Sequence, residues 1–178
     1  MPWTTPPTYA AGGRNRAVDM NTYVGNNLSY LASPPFCDVY STAAFTMSAT
    51  PGTATAVTFD TEIADSTGAM HSTTVNTSRI TVPVDGLYAV EAGAAIIAQA
   101  SATYFRGYIG LNGSATLGTY AFNWVPVSST YNSISQSRFI RATANQYFEL
   151  FVLCGIASVA LQNGSGLRPY LQVRWMGP

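Results

Sequence analysis

The chain has 178 residues, the size of one domain with a short appendage rather than of two full domains. Hydrophobic residues make up 47% of it and charged residues only 9%, which excludes a disordered protein. The eight arginines balance eight acidic residues and form no dense basic run, so we expect no nucleic-acid partner. No run is apolar enough to span a membrane and no secretory signal pattern is present, so we expect no membrane partner either.

Residues 1–36 predict an N-terminal arm that carries one short helix. The arm opens with a segment rich in Pro and Thr and closes at Pro34 and Pro35, which favour extended or turn conformations. Between these ends, apolar residues spaced by three or four predict a helix over about 16–31, with Asn15 as its N-cap; the stripe is Ala17, Met20, Val24, Leu28 and Leu31. Such a helix is marginal alone in water, so its stripe should need a partner surface.

Residues 37–178 predict a jelly-roll domain. Short runs rich in Val, Ile, Thr, Tyr and Phe alternate with explicit turn pairs such as Asp85-Gly86 and Asn112-Gly113, which is typical of an all-β, antiparallel two-sheet protein. The expected strands lie near 38–48, 55–60, 69–75, 78–83, 86–98, 103–111, 115–124, 133–142, 146–155 and 167–175.

Two of these strands, 86–98 and 147–154, are apolar on both faces. A sandwich strand in a monomer should present one face to water, so a second apolar face predicts cover by another subunit, or alternatively by loops or the arm. The candidates for a trimer interface are Tyr88, Val90, Ile96, Tyr147, Phe148, Phe151 and Leu153.

The β region resembles the trimeric jelly rolls of the C1q and tumour-necrosis-factor superfamily. Residues 57–60 followed by residues 78–90 are similar to that family's aromatic-Asp strand and its "I-x-V-P-x-x-G-x-Y" strand. Residues 108–113, 148–152 and 170–175 are similar to an apolar strand with an Asn-Gly hairpin and to the last two core strands. The resemblance covers about residues 38–175 and implies a C1q/TNF-like jelly roll that forms a homotrimer.

The arm is similar to the opening of tailed-bacteriophage virion proteins. In those proteins a "W-T-x-P" start precedes a short helix containing "L-N" and "N-L-x-Y-L". This chain has Trp3-Thr4-Thr5-Pro6, then Met20-Asn21, then residues 27–31 (Asn-Leu-Ser-Tyr-Leu). The resemblance implies a phage structural protein anchored by its arm. The anchoring candidates are Trp3, Tyr9, Met20, Val24, Leu28 and Leu31.

The sequence offers little for catalysis or for a bound ion, so we expect no enzyme, no cofactor and no metal site. His71 is the only histidine, and no nucleophile motif accompanies it. Asp60, Glu62 and Asp65 could hold Ca²⁺ at a strand end, although a solvated strand end is the favoured interpretation. Cys37 and Cys154 are expected to be free, buried thiols rather than a disulfide.

Four aromatic residues fall near predicted loops or strand ends, where they could stack on sugars, although core packing is favoured for each: Tyr104, Tyr120, Trp124 and Tyr131. Taken together, the residues predict a non-enzymatic structural protein of a phage virion, a trimeric capsid decoration or short head fibre held by its arm. The alternatives are a minor tail protein or receptor-binding tip that recognises a host surface glycan and, more weakly, a tail-associated depolymerase, against which stands the lack of a recognisable acid pair.

Overall fold

The computed structural model describes residues 8, 16–97, 99–114, 120–126, 131–164 and 166–178. The predicted helix is present, as α1 (Ala17–Asp19), a π-helical segment (Met20–Gly25) and α2 (Asn26–Ala32). These follow one another without a break, because the residues at both junctions keep right-handed helical dihedrals. The proposed N-cap Asn15 lies outside the described residues, as do the anchoring candidates Trp3 and Tyr9.

The ten strands form two antiparallel sheets, as the all-β jelly-roll prediction requires. The first sheet has the order β3-β1-β10-β5-β8, and the second has the order β2-β9-β6-β7 with β4 also paired to β9. The strands are β1 (Phe36–Tyr40), β2 (Thr55–Ala56), β3 (Thr61–Asp65), β4 (Ile80–Thr81), β5 (Gly86–Ile96), β6 (Thr103–Leu111), β7 (Ala121–Val125), β8 (Asn132–Ala142), β9 (Tyr147–Cys154) and β10 (Tyr170–Gly177).

The predicted strands 86–98, 103–111, 133–142 and 146–155 are found within two residues of their expected bounds, and 167–175 within three. The predicted strand 38–48 ends at Tyr40, 55–60 and 78–83 are reduced to two residues each, and residues 115–119 of the predicted strand 115–124 lie outside the described residues. Two further differences have a local cause. The predicted strand 69–75 is wrong, because the carboxylate of Asp65 binds the backbone N–H groups of Met70 and His71 and folds this stretch into bends and turns. Strand β3 was not predicted: its Thr-Glu-Ile-Ala-Asp sequence is polar and lies at the edge of the first sheet, where only β1 pairs with it. The jelly roll begins with β1 at Phe36, and whether arm and jelly roll are separate units stays a prediction.

The core lies between the two sheets and is made of the inward side of each strand. Strand β5 is an inner strand of the first sheet, with all eleven residues paired to β8 and most of them to β10. Its inward side carries Tyr88, Val90 and Ile96, each fully buried, and Tyr88 packs against Phe148 of the second sheet with ring centroids 6.1 Å apart. Alternation therefore supplies one continuous core without help from a second chain.

The Pro83-x-x-Gly86-x-Tyr88 element is a structural device at the start of β5. The Tyr88 hydroxyl donates a hydrogen bond to the Val84 carbonyl at 2.6 Å, which closes the turn before the strand. The Trp175 indole N–H donates to the Asp85 carbonyl at 3.2 Å, which ties the same turn to β10. The motif thus fixes where β5 begins.

Candidate functional site

The helix turns its apolar stripe away from the jelly roll. Met20, Val24, Leu28 and Leu31 are 43–60% exposed, and Val18 is 61% exposed. Isolated apolar residues on a surface are ordinary, but five along one short helix form a continuous apolar strip. The stripe is therefore free of the protein's own core within the part of the chain that the structure describes.

The opposite side of the helix packs on the jelly roll through Tyr30. Its ring meets the Trp175 ring edge-on, with centroids 4.9 Å apart and planes at 88°, and only 9% of Tyr30 remains exposed. Burial raises the pKa of Tyr30 to about 12. The helix thus buries Tyr30 and Asn27, while the apolar stripe, which is predicted to need a partner surface, stays exposed.

Four of the proposed trimer-interface residues belong to the protomer's own core, and for them the prediction is wrong. Tyr88, Val90, Ile96 and Phe148 are all 0% exposed between the sheets, so they have no surface to offer a second subunit. In each two-faced strand the sequence does not show which face points inward, and the more bulky face of β5 is the inner one.

The other three candidates lie on the outer face of the second sheet, the side that faces away from the first sheet. Phe151 is half-buried and stacks on Tyr108 with centroids 5.1 Å apart and planes at 15°. Leu153 is only 8% exposed, and the Arg79 guanidinium covers the Tyr147 ring at 4.1 Å. Neighbours in the same protomer thus cover part of this face, and a role for these residues in a trimer stays a prediction.

The same outer face carries an exposed group of aromatic residues at its β6–β7 end. The register sets Tyr104 opposite Trp124 and Arg106 opposite Phe122. Trp124 is 60% exposed, Phe122 54% and the neighbouring Tyr120 52%. The interpretation favoured from sequence, that these aromatic residues pack in the core, is therefore wrong for Tyr120 and Trp124. It is also wrong for Tyr131, which lies elsewhere and is 55% exposed. Tyr104 is half-buried on this outer face.

The outer face of the first sheet is flatter and carries smaller side chains. Along β5 it presents Leu87, Ala89, the exposed Glu91, Gly93 and Ala95, with the Tyr170 ring lying across Gly93. Strand β8 adds three exposed serines, at 133, 135 and 137. Two large apolar residues stand out of it, Phe139 at 68% and Met176 at 51% exposure. Neither residue was identified from the sequence. Phe139 could have been, because Ser133, Ser135 and Ser137 occupy the preceding outward positions of the same alternating strand and therefore place Phe139 outward as well.

Asp60 and Asp65 act as hydrogen-bond acceptors that organise loops. Partial burial would raise the pKa of Asp60, but hydrogen bonds from Thr42, Thr61 and Ala43, at 2.7–2.9 Å, outweigh it and lower that pKa. The pKa of Asp65 is lowered in the same way, since four backbone N–H groups at 2.7–3.2 Å and the Thr67 hydroxyl outweigh its burial. No group of three potential metal ligands occurs among the described residues, and the absence of bound Ca²⁺ stays a prediction.

His71 is held in a structural role. Its buried ring lies 2.9 Å from the Glu62 carboxylate through Nδ1 and 3.2 Å from the Thr77 carbonyl through Nε2. Because both ring nitrogens already face an acceptor, neither is left to activate a serine nucleophile. His71 therefore links β3 to the loop that carries Thr77.

Both cysteines are free and buried, and they lie on different sheets. Cys37 is on β1 and Cys154 on β9. Burial, reinforced by the nearby carboxylates of Asp65, Glu62 and Asp38, raises the pKa of the Cys37 thiol far above its usual range. A thiol held in its neutral form is a poor nucleophile, so Cys37 is a packing residue.

No protein-family model matches the sequence, and no curated protein matches it. Among solved structures, the chain is similar to murine APRIL at pH 5.0 and pH 8.0, with TM-scores of 0.58 and 0.56, 10% identity, and coverage of 80% of this chain and 98% of APRIL. It is also similar to the globular domain of zebrafish complement 1qA, with a TM-score of 0.49, 16% identity, and coverage of 79% of this chain and 92% of that domain.

The comparisons confirm the fold prediction. APRIL is a member of the tumour-necrosis-factor family, so the likeness establishes a C1q/TNF-like jelly roll preceded by an arm with a short helix. At 10% identity the likeness shows the fold alone, and the phage origin stays a prediction. None of the helices among the described residues is long and apolar enough to cross a membrane.

Proposed function

We propose that this chain is a non-enzymatic structural protein of a phage virion, a homotrimeric jelly roll attached to the particle by its N-terminal arm. The observation that carries the proposal is the exposed apolar stripe of the helix. Since Tyr30 on the other side already holds the helix to the jelly roll, the stripe is presented outward as an amphipathic docking surface. Its partner is another virion protein, and the described arm and fold suit either a capsid decoration or a short head fibre.

The trimer is supported by the first sheet's outer face. Ala89 and Ala95 leave part of this face flat, and the exposed Glu91 and the Tyr170 ring, which lies across Gly93, stand between them. Phe139, paired to Ala89 across the β5–β8 ladder, projects from it as an apolar anchor that is 68% exposed. We therefore place the subunit contact here, in preference to the core residues and to the partly covered face of β9.

A second candidate function is recognition of a host surface glycan by a minor tail protein or receptor-binding tip. The observation that favours it is the exposed aromatic group of the second sheet, which neither the core nor the proposed trimer contact uses. Depolymerase activity has no comparable support, because His71 and the acidic residues are committed to structural hydrogen bonds.

The test compares full-length variants for assembly and for incorporation into particles. Wild type should be a trimer by native mass spectrometry at micromolar concentration, and Phe139→Asp should dissociate it, because a charge would be stranded in the contact. Leu28→Asp with Leu31→Asp should leave the trimer intact but abolish incorporation into virions. Val75→Asp, at a site that is 64% exposed in a loop, is the matched control and should change neither property.

Three results would contradict the proposal. A wild-type protein that is a monodisperse monomer would contradict the proposed trimer. Normal incorporation of the Leu28 and Leu31 double variant would remove the anchoring role of the stripe. Normal particles that assemble without containing this chain would place the protein outside the virion.

A further inference from the structure

We propose that the aromatic group at the β6–β7 end of the second sheet binds an acidic glycan, with the rings stacking on sugar faces and Arg106 pairing with a sugar carboxylate. We call this group the aromatic platform; it comprises Tyr104, Arg106, Tyr120, Phe122 and Trp124. The proposal does not depend on the virion role, because it rests only on the chemistry of this surface.

The platform rings lie flat against the sheet. A Cβ at residue 155 would fall 2.6 Å from the Tyr104 ring, so this ring lies across the backbone of Gly155. The Phe122 ring runs nearly parallel to the Tyr104 ring, at 22° with centroids 6.5 Å apart. The exposed rings are those of Tyr120, Phe122 and Trp124, and the electron-rich face of an aromatic ring attracts the weakly positive C–H groups of a sugar.

The platform is organised before any ligand arrives. Next to it, the Phe151 ring lies across Gly110, where a Cβ would fall 2.6 Å away, and Tyr108 is wedged between Phe151 and Tyr120 at 5.1 and 5.4 Å. These contacts restrict the rings in the unbound protein, so a ligand loses less free energy in ordering them.

Arg106 gives the platform a positive charge without a counter-ion. Its guanidinium lies 4.7 Å from the Tyr104 ring, 5.0 Å from Phe122 and 5.8 Å from Tyr120. All eight acidic residues of the chain lie in the described part, and none of them forms an ion pair with it. Its Nε is buried with no hydrogen-bond partner among the described residues. Because Nε is buried, an incoming carboxylate would meet the guanidinium at its terminal nitrogens and would supply the missing charge there.

The same charge disfavours a second copy of this chain packing face to face on the platform. Two copies would bring two Arg106 side chains together, and the acidic residue on this face, Glu149, is 4% exposed. Its carboxylate already accepts a hydrogen bond from Ser78 at 2.7 Å and lies 3.5 Å from Arg79. Charge complementarity thus favours an anionic ligand over self-association.

The test titrates the full-length protein with a galacturonate oligomer and with the same oligomer methyl-esterified, followed by calorimetry. The two probes differ only in the carboxylate charge. Wild type should bind the acid form about tenfold or more tightly than the ester, because a charge-assisted pair is worth at least one factor of ten. Arg106→Gln should remove this preference, whereas Trp124→Ala should weaken binding of both probes.

Matched controls separate binding from folding and assembly. Arg16→Gln removes an exposed arginine from the arm, and Val75→Ala removes an exposed apolar side chain from a loop; both should bind as wild type does. All variants should melt as wild type. The proposal is overturned if wild type binds neither oligomer, if Arg106→Gln keeps the preference for the acid, or if Trp124→Ala dissociates the trimer, which would make the platform a subunit contact.

Discussion

Gly86 is the position where one methyl group should do most damage to the fold. It starts the inner strand β5, at φ +158°, within the Pro83-x-x-Gly86-x-Tyr88 element. A Cβ at this position would overlap the Trp175 indole Nε1 and the Gly177 carbonyl oxygen, and would lie 2.9 Å from Trp175 Cδ1. The indole has little room to move, because it donates to the Asp85 carbonyl and packs on Tyr30.

The expected loss of stability for Gly86→Ala follows from two contributions. Overpacking of a tight site costs about 1–3 kcal/mol, and an L residue at this positive φ costs about 1–3 kcal/mol more. Gly68 provides the matched control, since it also has positive φ, at +67°, but an added Cβ meets nothing within 4 Å. Gly68→Ala should therefore cost only the backbone contribution, about 1–2 kcal/mol.

The assay is thermal unfolding of both variants followed by circular dichroism. For a chain of this length each kcal/mol lowers Tm by about 2–4 °C, so a 4 kcal/mol loss in Gly86→Ala should lower it by about 8–16 °C. Gly68→Ala, which should lose only about 1–2 kcal/mol of stability, should lower Tm by about 2–4 °C for each kcal/mol lost. Equal Tm losses in the two variants would refute the reasoning, because they would show that contact with Trp175 and Gly177 adds nothing.

The remaining predictions concern the carboxylates. The pKa of Asp65 is lowered in the folded protein, so its contribution to stability is present above the unfolded-state pKa and is lost as pH falls through the folded-state pKa. Asp65→Asn should therefore lower the free energy of unfolding by about 2 kcal/mol at pH 7 and make Tm depend less on pH in the acid range. Burial raises the pKa of Asp38, against the opposing hydrogen bond from Gln172, so Asp38→Asn should keep or increase stability at pH 7; a large loss there would contradict the assignment. Millimolar Ca²⁺ should leave Tm unchanged, and a rise of several degrees that Asp60→Asn abolishes would establish a calcium site.

The sequence predicts the long strands well and the short ones poorly. Strand 103–111 was predicted with the bounds that the structure gives to β6, and β5, β8 and β9 were each predicted within two residues at either end. Each of these strands has eight or more consecutive residues, rich in β-branched, aromatic and other apolar types and bounded by turn residues, so its length and limits are marked in the sequence. The stretch 69–75 also has β-favouring residues, but hydrogen bonds from its backbone to the Asp65 carboxylate determine its conformation. The pattern of residue types within the stretch does not indicate these hydrogen bonds.

The candidate surfaces were predictable only in part. The apolar stripe of the helix was apparent from spacing, because an amphipathic helix shows the same pattern whichever surface covers it. Which face of β5 points inward was not apparent, since both faces are apolar and a shift of one residue exchanges them. Tyr104, Tyr120 and Trp124 were named from the sequence as residues that could stack on sugars, but their grouping with Phe122 and Arg106 was not apparent. Residues from two strands become neighbours only through the β6–β7 register.

Among the described residues, four arginines are contacted by aromatic rings and only one arginine is paired with a carboxylate. With 9% charged residues it has few carboxylates, and among the described residues an arginine forms an ion pair only in the Arg79–Glu149 contact. Aromatic faces take the place of carboxylates, with rings 4.1–5.8 Å from the guanidinium groups of Arg79, Arg106, Arg168 and Arg174. A ring holds the cation without neutralising it, so the charge remains available to an external anion. The fold's stability should then depend little on ionic strength, whereas any binding of an acidic ligand at Arg106 should weaken as salt rises.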